Sequence, residues 1–164
     1  MKFIILFSFL FYFGCKIGQG PPPPIARVNL SASLSSMIVG DSLRLDVNVA
    51  NIENLFAISF EIEFDPSYLE VNMNSGEMNY STFTNQNFGP VVLLDTLGVI
   101  SVALGGDTIN GAIFSFFIHG LQSGTTIMEL DEVNLLQKDG MHVSGIDGLI
   151  LSGVTITVID AVSE

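Results

Sequence analysis

The chain reads as an all-β protein, about nine strands packed as a two-sheet β-sandwich. Two observations carry that expectation. From Arg27 onward apolar residues recur at every second position, the period at which side chains share one face of a strand, and no stretch sustains a helical period. Turn residues interrupt that alternation every eight to twelve positions, the spacing of sandwich strands. At 164 residues the chain has room for one such domain and an export signal.

Residues 1–14, MKFIILFSFLFYFG, place Lys2 before an apolar run that is too short to span a bilayer, the layout of a bacterial secretory signal. The run ends at Gly14-Cys15, a loose form of the bacterial lipoprotein box, with Tyr12 in place of the usual aliphatic residue. Cys15 is therefore expected to be lipidated and to begin the mature chain, which explains a lone cysteine in an exported protein. The alternatives are a plain signal or a short membrane anchor with an incidental thiol. Residues 15–26 follow as a tether whose four prolines, Pro21 to Pro24, extend about 12 Å as polyproline II. The domain is assigned to residues 27–160.

Its strands are expected at 27–34, 42–51, 55–64, 68–73, 91–96, 99–104, 112–119, 125–136 and 153–160. Parity separates their faces. Leu43, Leu45, Val47 and Val49 share one side of the second; Phe56, Ile58, Phe60, Ile62 and Phe64 share one side of the third, opposite Ala57, Ser59, Glu61 and Glu63. Phe114, Phe116 and Ile118 face inward in the seventh, opposite Ser115, Phe117 and His119. Met128, Leu130, Val154, Ile156 and Val158 complete the core. Asp65-Pro66 ends the third strand, because proline offers no amide donor to a ladder and restricts the residue before it. Leu69 and Val71 then return to the interior.

Charge and composition narrow the function. Five Lys and Arg face seventeen Asp and Glu, a formal −12. Cleavage after residue 14 removes one lysine and no acid, leaving four against seventeen, or −13. Such a surface repels phosphate backbones, so nucleic acid is not an expected partner. His119 and His142 sit in no catalytic or metal motif, and no enzyme activity is expected. Asp107, Asp131, Glu132, Asp139 and Asp147 lie near glycines but fit no twelve-residue calcium loop; they read as turn residues, and no metal or cofactor is expected. The absence of Trp leaves only Tyr80, Phe83 and Phe88 as a sugar-stacking group.

The stretch NLFAISFEIEFDPSYLEV resembles the most diagnostic part of a cohesin domain, the module through which bacterial cellulosome scaffolds hold enzymes by their dockerin domains. VGDSLRLDVNVANIENL, LGVISVALGGDTINGAIFSFFI and LLQKDGMHVSGIDGLILSGVTITV resemble further cohesin segments in the same order, over about residues 28–158. The resemblance implies jelly-roll topology, the fold shared with some carbohydrate-binding modules. It also implies a non-catalytic role in binding a protein partner, with calcium brought by the dockerin. In cohesins the outward face of the strand before the Asp-Pro turn meets dockerin helices through polar side chains; the matching positions here are Ala57 and Ser59, a departure from that pattern.

The expected partner face therefore comprises Ala57, Ser59, Glu61 and Glu63, with Ser115 and Phe117 as a second row. Each row has a plain structural reading beside it: a solvated sheet face for the first, a loop-covered aromatic for the second. At the level of the whole protein the expectation is a dockerin-binding lipoprotein of the cell envelope. A structural or adhesin-like sandwich and a carbohydrate-binding module stand as alternatives.

Overall fold

The computed structural model describes residues 24–71, 86–94, 97–106, 111–138 and 148–161, with backbone alone at 86–90. Cys15, the signal, most of the tether, Asp107, Asp139, His142, Asp147, Tyr80, Phe83 and the Phe88 side chain lie outside the described residues.

Eleven strands are present among the described residues: β1 (Arg27–Ala32), β2 (Ser36–Ile38), β3 (Ser42–Ala50), β4 (Leu55–Glu63), β5 (Leu69–Val71), β6 (Gln86–Leu94), β7 (Val99–Gly106), β8 (Gly111–Gly120), β9 (Gly124–Gln137), β10 (Ile150–Ser152) and β11 (Val154–Ile159). They form a five-stranded sheet in the order β10-β1-β3-β8-β5 and a six-stranded sheet in the order β2-β11-β9-β4-β7-β6. Nine correspond to the strands expected from the sequence. The additional two, β2 and β10, are three-residue edge strands that pair in parallel with β11 and β1. Successive strands alternate between the sheets; only β6 and β7 form a hairpin within one sheet.

The inner faces follow the predicted parity over most of their length. Leu43, Leu45, Val47 and Val49 are buried on β3, as are Ile58, Phe60 and Ile62 on β4 and Phe64 just beyond it. Phe114 and Phe116 of β8 stack with centroids 5.6 Å apart, and Phe60 meets Phe114 edge-on at 6.1 Å, joining the two sheets through aromatic contact. Phe56 departs from the pattern. The β4–β9 register shifts between Leu55 and Ala57, so Leu55 is fully buried while Phe56 is half-buried. A second shift, in β8 opposite Val47 and Asn48, lets Ile113 and Phe114 both enter the core.

Local chemistry fixes the connections. Asn51 and Asn54 take left-handed φ of 60° and 54° between β3 and β4, a conformation asparagine tolerates better than most residues. Beyond β4, the Asp65 carboxylate accepts hydrogen bonds from the Ser67 N–H at 2.9 Å and from the Ser67 hydroxyl, while the Tyr68 N–H donates to the Asp65 carbonyl at 3.1 Å. The Phe64 N–H donates to the Gly98 carbonyl at 2.8 Å. Gly98 has φ of +92°, and a Cβ there would lie 2.2 Å from the Phe64 carbonyl oxygen, so the β6–β7 turn closes against the end of β4 only with glycine.

Candidate functional site

The two rows expected to form one partner face lie on different sheets. Ala57, Ser59, Glu61 and Glu63 belong to β4 in the six-stranded sheet, whereas Ser115 and Phe117 belong to β8 in the five-stranded sheet. Both rows point away from the core between the sheets, so the structure places them on opposite sides of the sandwich and they cannot meet one partner surface.

The β8 row is largely satisfied within the chain. Ser115 is 4% exposed; its hydroxyl accepts from Arg44 Nη2 at 3.1 Å and donates to Asp46 Oδ1. Arg44 Nε also donates to Asp46 Oδ1 at 2.9 Å, and the two side chains form an ion pair. Phe117 is half-buried, with Arg44 as its direct cross-strand partner. His119 Nδ1 lies 2.8 Å from the Ser42 hydroxyl.

The β4 row is open, and its neighbours give it a shape. Across β7 it faces Gly105, Ala103, Ser101 and Val99, in register with Ala57, Ser59, Glu61 and Glu63. Small side chains thus run two strands wide. On one flank rise Val91 and Leu93 of the edge strand β6, 57% and 66% exposed, in register with Ala103 and Ser101. On the other flank stand Asp131, Glu132, Asn134 and Leu136 of β9. Between the flanks lie two adjoining depressions of about 170 and 210 Å³ that share Ser59, Ala103 and Asn134, making one shallow furrow along β4 and β7.

The β9 flank is shaped by a bulge. Ser59 pairs with Asn134 but Glu61 with Asp131, which leaves one extra residue on β9. Glu132 takes φ of 45° there, its N–H bonded to Asp131 Oδ1 at 2.8 Å, while Asn134 Nδ2 donates to the Glu132 carbonyl at 2.9 Å. Asp131 and Glu132 are consecutive yet both exposed, so a second carboxylate enters the furrow wall where a regular strand would turn it under. Glu61 is oriented from the other side, accepting from the Ser101 hydroxyl at 2.9 Å.

Sequence reasoning placed the β4 row on the outer face and missed its surroundings. Ser101, Ala103 and Gly105 alternate with buried Ile100, Val102 and Leu104, so strand parity alone identifies them as outward and small. That they and Asp131 through Leu136 flank β4 is set by strand order, which no local pattern carries. Among the described residues no group of three or more His, Cys, Asp or Glu could hold a metal ion.

Comparison with known proteins gives the same architecture a family. The model of the cohesin domain matches residues 28–114. No curated protein matches the chain in sequence. Among solved structures, a chain of a type II cohesin–X–dockerin complex from Acetivibrio cellulolyticus superposes with a TM-score of 0.68 at 16% identity, over 82% of this chain and 99% of that one. A non-cellulosomal cohesin from the archaeon Archaeoglobus fulgidus gives 0.66 at 15% identity, over 83% and 92%. The sixth cohesin of scaffoldin B from A. cellulolyticus, solved with a Cel5 dockerin, gives 0.65 at 9% identity, over 83% and 100%. With the family match spanning more than half of its 164 residues, the chain belongs to the cohesin domain family.

Proposed function

We propose that this protein is a non-catalytic docking module that holds a dockerin-bearing protein on the outer face of its six-stranded sheet, at the surface of the cell that exports it. The observation that carries this reading is the furrow: an uncovered strip of small side chains on β4 and β7, walled by β6 and β9, on the face where cohesins receive dockerins. Family membership supports binding rather than catalysis. Ala57 and Ser59, which depart from the polar family pattern, form part of the floor, so recognition here depends on shape more than on hydrogen bonds from β4. Calcium enters with the partner, whose calcium loops would require it. A sugar-binding role would rest on Tyr80, Phe83 and Phe88, whose side chains lie outside the described residues.

Blocking the floor tests the reading. Ser59→Arg, on a half-buried outward position, should leave the fold intact and reduce affinity for calcium-loaded dockerin modules by tenfold or more in calorimetry, whereas Ser42→Arg on the other sheet should leave it unchanged. Equal binding by both variants sinks the proposed face. The envelope location rests on Gly14-Cys15 and is tested separately: a palmitate analogue should label the wild-type chain and not Cys15→Ala.

A further inference from the structure

Two sheets give the sandwich four edge strands, and three of them are blunted by their length. β10, β5 and β2 are three residues long, too short to template a further strand. β6, at the far edge of the six-stranded sheet, is nine residues long, and among the described residues no strand lies beyond it. Its first half carries obstacles to pairing: the register with β7 shifts on either side of Phe88, and Pro90 offers no amide. Its second half has neither. Val91 to Leu94 pair with Ala103 to Ile100 without interruption, and Val91, Leu93 and Leu94 are 57%, 66% and 38% exposed. Alternate residues of a strand direct N–H and C=O away from the neighbour they pair with, so this half offers backbone donors and acceptors beside apolar side chains. No residue of β6 is charged, in a chain with seventeen acids.

Charge selects the occupant. A second copy brings the same formal −12 and is repelled wherever acids would meet acids, so two copies come together along a strip without charge. We infer that β6 pairs antiparallel with β6 of a second copy, about a two-fold axis that passes through Val92 perpendicular to the sheet. Directly opposed residues share a face, so the register keeps outward side chains with outward ones. Centring it on Val92 sets Val91 of each copy beside Leu93 of the other, the two most exposed of the described β6 side chains. The same patch serves on both sides, as a closed two-fold contact requires. Two six-stranded sheets become one of twelve strands. The β4 rows then lie five strand spacings apart, about 24 Å, beyond the screening length of about 8 Å, so Glu61 and Glu63 do not oppose the join. Both furrows face the same way, with Val91 and Leu93 as the ridge between them. The contact is one strand wide, short of the about 800 Å² per partner of a standard interface, so the pair forms and separates with concentration.

Sedimentation equilibrium of the purified protein from about 1 μM to about 1 mM tests this. Wild type should pass from monomer to dimer within that range. Leu93→Glu sets a carboxylate on each side of the axis and should weaken the dimer tenfold or more. Ile127→Glu, at an exposed apolar position of the same sheet on β9, adds the same charge away from the edge and should leave the dimer unchanged. Both positions lie outside the core, and equal melting of the two variants confirms the fold. Amide exchange within residues 91–94 should slow as wild type is concentrated, which a contact made by side chains alone would not produce. A protein that stays monomeric at about 1 mM overturns the inference. So does a dimer that Leu93→Glu leaves intact or that Ile127→Glu weakens equally. Exchange at 91–94 that is slow at every concentration overturns it too, since another segment of the chain would then cover the edge, and growth beyond the dimer overturns the closed two-fold pair.

Discussion

Asp65 shows how much a single exposed side chain can organise. Its carboxyl sits below the ordinary value of 3.8, first because the Ser67 hydroxyl donates to the charged form and then because the Ser67 N–H does; slight burial opposes both. A lowered folded-state value means that the contribution is complete above the ordinary carboxylate value and is lost as pH falls through the lowered one. Asp65→Asn keeps the shape and removes the charge. The variant should melt below wild type at pH 7, and the gap should close as both are acidified through the lowered value. A gap that stays constant with pH would assign the effect to geometry alone. The residue matters beyond its turn, because the Phe64 N–H beside it is bonded to Gly98, which ties the end of β4 to the β6–β7 hairpin and so to one wall of the furrow.

Among the elements, β9 carries the least regular backbone and the most consequential. A left-handed backbone costs a non-glycine residue about 1–2 kcal/mol, and Glu132 bears that cost with φ of 45°. Glu132→Gly should raise the unfolding free energy by up to about 1 kcal/mol, since glycine removes the strain but adds chain entropy to the unfolded state. The same change removes a carboxylate from the furrow wall and should make dockerin binding less sensitive to salt. Urea denaturation beside calorimetry checks both; a destabilised variant would mean that Glu132 is held there for packing. The bulge also marks where sequence reading ends. Alternation placed Ile58 through Phe64 inward and Ser59 through Glu63 outward because side-chain direction in a strand is a local property. It misplaced Phe56 because a register shift with β9 breaks the period, and it gave no hint that Glu63 would sit opposite Glu129, because cross-strand partners are chosen by the fold. The strands β2 and β10 escaped notice for another reason: each is three residues long and lies at a sheet edge, too short to display a period.

For the whole molecule, the decisive fact is that the chain passes between sheets at nearly every connection, so neither sheet is continuous in sequence and neither can persist without the other. The cost of separating them is concentrated where Phe60 of β4 meets Phe114 of β8, with Phe116 stacked behind. Phe114→Ala removes a fully buried ring from this contact and should cost about 3–5 kcal/mol, a large share of the roughly 5–15 kcal/mol that a domain possesses. Phe117→Ala, half-buried on the outer side of the same strand, should cost less than half as much. Both should unfold in one transition with an unchanged denaturant slope, since the surface exposed on unfolding barely differs. Because the furrow floor is the back of the strand that carries Phe60, dockerin binding should disappear at the same urea concentration as the near-ultraviolet signal of the core. Binding that outlasts that signal would mean that the six-stranded face survives alone, and that the aromatic contact between the sheets is not what keeps the docking surface in shape.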